Sequence, residues 1–279
     1  MENTGERHII DEEFTSVSDY YIHLLHIASY EYALPFVANK RVLDYGSGSG
    51  YGTYMLAEKA ESVLGVDVSA EAVSYAKDKF KSDNLFFEEI KKADFQKYDV
   101  ITSFQVIEHV PNDRKYIETL KEMLKPGGML FITTPDRTNR LFSFQKPWNI
   151  YHLKEYSADS MAKLLRKYFQ NFEILGITAS PELVMPEIIR RKKQKVITLP
   201  STLFFYPDFL RVFLLNFQAK AFKVVSSLLR RKKSKVESSS EAKCQEEPIY
   251  SKYSSGDMSI TNISEYSTDL FVICKNTEM

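Results

Sequence analysis

The chain has 279 residues, 44% hydrophobic and 27% charged, enough to bury a core and permit a globular enzyme of one domain plus an elaboration. Its 37 Lys and Arg balance 37 Asp and Glu, so no whole-chain field draws it to nucleic acid or to an anionic surface, and any such attraction is local. Two distant cysteines, Cys244 and Cys274, exclude a disulfide framework and a structural zinc site, and the polar, acidic start MENTGERHIIDEEF lacks the pattern of a signal peptide, so a cytoplasmic setting is expected.

From Arg41 to about Ile177, short β-branched or aromatic runs alternate with amphipathic stretches, the pattern of βαβ units around a parallel sheet. RVLDY (41–45) reads as the first strand, followed by a glycine turn and a helix through Ala57 to Ala60. SVLGVD (62–67) is the second strand, and Ser69 then caps a helix with Glu71 in its first turn. LFFE (85–88) is the third, and YDVITSF (98–104) the fourth, apolar enough for a sheet centre covered on both faces. Asn112 or Asp113 opens a helix ending at Lys125, where Pro126, Gly127 and Gly128 turn the chain into the fifth strand, MLFITTP (129–135). Ser157 caps a helix with Met161, Leu164, Leu165 and Tyr168 on its apolar face, and FEILGI (172–177) is the sixth strand. The best seventh strand is DLFVICK (269–275), almost at the C-terminus. The expectation is an α/β, Rossmann-like, seven-stranded sheet flanked by helices. It divides into a sheet domain over 1–178, a helical basic insert and polar linker over 179–266, and a last strand and tail over 267–279.

In VLDYGSGSGYG (42–52), glycines at 46, 48 and 50 lie between a strand and a helix, where absent Cβ atoms allow a sharp turn and a helix N-terminus offers unpaired N–H groups. A nucleotide-like ligand fits such a loop. The dinucleotide fingerprint requires glycine or alanine at its sixth position, which here is Tyr51, or Thr53 if the count starts at Gly48, so the nicotinamide reading loses ground. Asp44, two residues before the first glycine, disfavours a pyrophosphate and favours a cationic ligand. S-adenosylmethionine carries a sulfonium and an α-amino group, and Asp44 can hold the amino group directly or through water. Asp67, seventeen residues past Gly50, stands where it can accept both ribose hydroxyls.

VLDYGSGSGYG, GVDVS, YDVITSFQVIEHV and LKPGGMLFITTP resemble the successive motifs of class I S-adenosylmethionine-dependent methyltransferases, over about residues 20 to 177 plus the last strand. The resemblance implies S-adenosylmethionine as cofactor, with Asp44, Gly46, Ser47, Gly48, Gly50 and Asp67 around its methionine part and ribose and Val68 on its adenine. Upstream, HIASYEYA (26–33) resembles the HxxRYxFA element of one bacterial group, whose aromatic residue covers the cofactor; Tyr30 and His26 match, while Ser29 replaces the usual arginine. After the third strand, Glu88 or Glu89 takes the place of the acid that holds the adenine amine, and Gln105, at the tip of the fourth strand, joins the cofactor-binding set.

Methyl transfer from a sulfonium is an in-line displacement, so the enzyme chiefly holds donor and acceptor collinear in a dry pocket, and proton removal helps when the acceptor is a hydroxyl. FQVIEHV (104–110) supplies Glu108 and His109 at the carboxyl end of the sheet, and the stretch after the fifth strand supplies Trp148, Tyr151, His152, Glu155 and Tyr156. His109 or His152 could accept the proton. Some related O-methyltransferases bind magnesium through an ExxEH pattern here; Gln105 replaces the first acid, and no metal is expected. PWNIYHLKEYS (147–157) resembles the NxxHxxEYS element of methyltransferases associated with bacterial surface glycans, implying O-methylation of a glycan or lipid-linked acceptor. A quinone precursor, or a non-catalytic protein using the same fold to bind a membrane or partner, are the alternatives.

Over 190–235 thirteen residues are Lys or Arg and one, Asp208, is acidic. Leu210, Phe213, Leu214, Phe217, Ala221, Val225 and Leu228 recur at helical spacing, flanked by RRKKQK (190–195) and RRKKSK (230–235). Either this is a helical lid over the pocket with solvated lysines, or an interfacial helix that makes the protein peripheral at an anionic membrane. Nucleic-acid binding is disfavoured because no readout motif accompanies the basic runs.

Overall fold

The computed structural model describes residue 14 and residues 16–93, 95–234 and 252–277, with the backbone alone over 224–234. Cys244, the polar linker expected over 234–248 from its second residue on, and the side chains of Val225, Leu228 and the RRKKSK run lie outside the described residues.

Strands β1 (Arg41–Tyr45), β2 (Ser62–Asp67), β3 (Leu85–Glu89), β4 (Tyr98–Phe104) and β5 (Leu124–Pro135) pair in parallel. Strands β6 (Asn171–Ala179), β7 (Met258–Thr261) and β8 (Asp269–Lys275) complete an eight-stranded sheet of order β3-β2-β1-β4-β5-β8-β6-β7. β8 runs antiparallel between β5 and β6, and β7 lies antiparallel on β6 at the edge. The expected count of seven is thus corrected to eight. The added strand falls within the stretch assigned to the insert; it has four residues and only Met258 is buried, too short a pattern for periodicity to register.

Adjacent residues of each central strand serve opposite faces, as a pleated strand requires. Val42 and Leu43 are both fully buried, yet they enter different cores. Val42 packs with α1 (Val17–Val37), α2 (Tyr51–Ala57), α3 (Ala70–Lys79) and the later α7 (Pro181–Ile197); Leu43 packs with α4 (Asp113–Met123) and α6 (Ala158–Leu165). The caps follow the sequence: Asn112, rather than Asp113, accepts the Lys115 amide at 3.0 Å, Ser69 accepts from Ala72, and Ser157 forms a capping box with Ser160. α4 stops at Met123, two residues before the expected end, because Leu124 already pairs with Tyr98; the register then jumps to Val100 against Met129, so Pro126, Gly127 and Gly128 form an irregularity inside β5.

A short helix, α5 (Arg137–Arg140), follows β5, and α8 (Asp208–Ser234) follows α7. Leu183, Val184 and Ile188 of α7 enter the same core as α1. Arg191 fixes α7 to β8: it donates to Asp269 at 2.9 Å and to Glu187 at 2.5 Å, and also reaches the Thr268 carbonyl. Among the described residues no helix is long and apolar enough to cross a membrane.

Candidate functional site

The glycine loop begins where β1 ends. Gly46 and Ser47 amides both donate to the Val66 carbonyl, at 2.7 and 2.9 Å, which folds the loop over the tip of β2. All three glycines have positive φ. Gly46 and Gly50 are confined by their neighbours: a Cβ would sit 2.4 Å from Val106 at the first and 2.6 Å from Ala76 at the second. Gly48 differs, since a Cβ there meets nothing within 4 Å and would project into open space. Asp67 accepts the Gly48 amide on Oδ2 at 3.0 Å and the Ser69 amide on Oδ1 at 2.8 Å, so one carboxylate ties the glycine loop to the turn after β2 and keeps further lone pairs on each oxygen. Val68 beside it is 77% exposed, and the Ser47 hydroxyl is buried without a partner. An open glycine and an orphaned hydroxyl in the glycine loop, with an incompletely used carboxylate and an exposed apolar side chain at the end of β2 beside it, fit S-adenosylmethionine.

Tyr30 and Asp44 lie underneath this loop. Asp44 is 1% exposed and accepts from Thr53 at 2.7 Å, Thr102 at 2.8 Å and Tyr30 at 3.2 Å, which occupies the carboxylate expected at the amino group of the cofactor. Burial pushes it up to about 6, against the three hydroxyls that lower it. The Tyr30 ring stands over Gly52, where no Cβ could fit, and meets Phe104 edge-on at 4.9 Å. It forms part of the wall between α1 and α2, where an element that covers the cofactor was expected. In β3, Glu88 pairs in register with Val66 and Glu89 with Asp67; Glu89 also forms an ion pair with Lys92.

A cavity of about 240 Å³ lies on the far side of the β4 turn, bordered by Gln105, Glu108, His109, Trp148, His152 and Asp269. Gln105 links it to the glycine loop: its neighbour Val106 packs on Gly46, while its own side-chain amide donates to Asp269 at 3.2 Å and its backbone sits at φ 55°. The loop carrying Trp148 and His152 is tied to this turn through the Glu108 carbonyl, which accepts the Leu153 and Lys154 amides.

His109 and His152, 43 residues apart in sequence, meet edge-on with ring centroids 4.9 Å apart. His152 Nδ1 lies 2.8 Å from Glu155, which Arg140 grips with two bonds of 2.9 and 3.0 Å. Burial would raise Glu155, but Arg140 and His152 outweigh it and hold the carboxyl at about 2, so Glu155 is an anion at neutral pH. As the acceptor of that bond it takes its proton from Nδ1, so in the neutral ring Nε2 carries the lone pair. Glu108 accepts from Thr134 at 3.0 Å on one oxygen, while the other is buried without a partner. Burial, only partly offset by His152, pushes Glu108 up to about 7. Ligand atoms of Glu108, His109 and His152 lie within 4.8 Å of one another, a donor set that could also hold a divalent cation. The sequence suggests no such set, because His152 comes from a separate element.

Sequence reasoning missed Asp269 and Arg140. Asp269 could have been noticed as an acid opening an otherwise apolar strand; Arg140 carries no local signal, since its role depends on Glu155 folding back onto it.

Residues 19–175 match the family described as "Methyltransferase domain". The chain is 34% identical over 145 residues to a ubiquinone biosynthesis O-methyltransferase of Glaesserella parasuis, covering 48% of this chain and 58% of that protein. It is 28% identical over 183 residues to a probable S-adenosylmethionine-dependent methyltransferase of Mycobacterium tuberculosis, covering 64% and 65%. The chain therefore spans less than two thirds of the length of these curated relatives. Among solved structures, the [4+2]-cyclase SpnF superposes with a TM-score of 0.54 at 16% identity, covering 96% of this chain and 86% of that one. A possible histamine N-methyltransferase of Thermotoga maritima superposes at 0.51 and 12%, covering 92% and 91%. These superpositions establish the shared fold.

Proposed function

The chain belongs to the methyltransferase-domain family, and on that premise we propose that it is an S-adenosylmethionine-dependent enzyme that methylates a hydroxyl of an acceptor held between Trp148 and His152. When bound, S-adenosylmethionine supplies an electrophilic methyl group on a sulfonium. Ser47, Gly48, Asp67 and Val68 would hold it, with Gly46 and Gly50 shaping the turn. The chain's own chemistry lies across the β4 turn. His152 Nε2 accepts the acceptor's hydroxyl proton, and Glu155, locked by Arg140, orients the ring and stabilises the imidazolium that results. Glu108, about half protonated near neutral pH, lends its hydroxyl or its oxygen to the same pocket.

The observation that carries this reading is the Arg140–Glu155–His152 chain ending in a cavity that borders the cofactor loop's own neighbour, Gln105. A glycan or lipid-linked acceptor is favoured by Trp148, whose ring already carries the Arg140 guanidinium at 4.1 Å and whose indole N–H is buried without a partner. A phenolic small molecule such as a quinone precursor is the second reading, supported by the relative named for ubiquinone biosynthesis. Turnover separates the two: the chain is incubated with S-adenosylmethionine and either a lipid-linked saccharide extract or a catechol, and S-adenosylhomocysteine release is followed. Release with neither, from a chain that binds the cofactor, would overturn both and favour a binding-only protein.

A further inference from the structure

Helix α8 turns a mixed face to the protein and a row of phenylalanines away from it. On the inner face Leu215 is buried, Arg211 is 2% exposed and donates to the backbone carbonyls of Pro147 at 2.6 Å and Asn149 at 3.0 Å, and Gln218 donates to the Ile197 carbonyl at 2.6 Å. Its aromatic side faces out. Phe209, Phe213 and Phe217, four residues apart and so on one helix face, are 64 to 77% exposed, and Phe204 and Phe205 are exposed in the turn that leads into the helix. A lid would turn its phenylalanines toward the pocket and its arginine toward water, and burying such rings is the larger hydrophobic gain available to a helix. Among the described residues nothing covers this face.

We propose that this phenylalanine face docks the protein on an anionic lipid bilayer. Charge selects that occupant. Lys220 follows Phe217 on the exposed face, Lys192, Lys193 and Lys223 are exposed nearby in sequence, and 190–235 holds thirteen basic residues against one acid. A second copy presenting the same face would bring like charges together, whereas acidic headgroups neutralise them while the rings enter the acyl boundary. The docked helix bears directly on the acceptor pocket, because Arg211 clamps the carbonyls of the loop that carries Trp148 and His152. The groove between α7 and α8, about 620 Å³ and lined in part by Ile197, Leu215 and Phe222, shares Trp148, Asn149 and Arg190 with the acceptor cavity. The groove and the acceptor cavity therefore adjoin at Trp148. The docking itself is independent of the reaction proposed above.

The test is flotation of the full chain with vesicles of phosphatidylcholine alone or with about 30 mol% phosphatidylglycerol, with S-adenosylhomocysteine affinity measured alongside as a check on the fold. The wild type should float with the anionic vesicles only. The triple variant Phe209→Ser, Phe213→Ser, Phe217→Ser and the double variant Lys220→Glu, Lys223→Glu should each bind them at least about tenfold more weakly while keeping the wild-type cofactor affinity. Wild-type chain left in the lower fraction, or floating equally well with the triple variant, would overturn the proposal. So would a wild-type dimer that the triple variant converts to monomer without any vesicle binding, which would make the face a contact between copies. Loss of cofactor binding by the wild type would count against the proposed reaction and leave the docking result to be read by itself.

Discussion

Asp67 accepts one hydrogen bond from Gly48 and another from Ser69, so a single carboxylate sets the distance between the two sides of the cofactor hollow. Across the β4 turn Glu155 plays the corresponding part for His152, and the two carboxylates define the two halves of the site.

The relay predicts an uneven kinetic effect. His152→Ala should lower kcat by about 100-fold or more, the range for losing a general base, with the acceptor KM and S-adenosylhomocysteine affinity little changed. Steady-state kinetics with a hydroxyl acceptor check this; an unchanged kcat would remove His152 from the reaction.

Glu108 makes a stability prediction whose sign follows from its raised pKa. The folded state binds its proton up to about 7, whereas the unfolded state releases it near the usual value of 4.5. The favourable contribution of the protonated group is therefore complete below the unfolded value and is lost as pH rises through the folded one. Glu108→Gln, which keeps the neutral shape, should stabilise the chain by about 2 kcal/mol at roughly pH 8 and by little at roughly pH 5, read by urea denaturation. Equal effects at both pH values would contradict a buried carboxyl pushed up to about 7.

The glycines separate folding from binding. At Gly50, φ 89° and a Cβ position 2.6 Å from Ala76 mean that Gly50→Ala should destabilise the chain by about 2 to 3 kcal/mol. At Gly48 the space is open, so Gly48→Ala should cost only about 1 kcal/mol of backbone strain yet weaken the cofactor, because its methyl enters the hollow. Thermal melts and calorimetry on the two variants distinguish them; a Gly48→Ala chain with unaltered cofactor affinity would move the ligand away from that amide.

The cofactor half of the site was legible in the sequence because it is local. A strand, a glycine turn and a strand-terminal acid lie within 41–67, and backbone geometry forces their meeting. The sequence names Asp44 as a ligand for the cofactor's amino group, but its burial among Thr53, Thr102 and Tyr30 was not legible there, since all three partners come from other elements. The acceptor half was legible only as residue types: His109 and His152 could be named, while Arg140 behind Glu155 and Asp269 beside Gln105 depend on tertiary approach. The orientation of α8 was hidden for a different reason. Periodicity finds an apolar stripe but does not say which way it faces, and Arg211 turned inward reverses the usual choice.

Gly48 and Asp67 are the groups proposed to hold the S-adenosyl moiety. Titration calorimetry of S-adenosylhomocysteine into the wild type and into Asp67→Ala tests it most directly. Saturable one-to-one binding by the wild type is predicted, weakened about 10- to 100-fold in the variant by loss of hydrogen bonds to a charged group. A wild type that takes up no S-adenosylhomocysteine but binds NADH, or a variant that binds as tightly as the wild type, would contradict it.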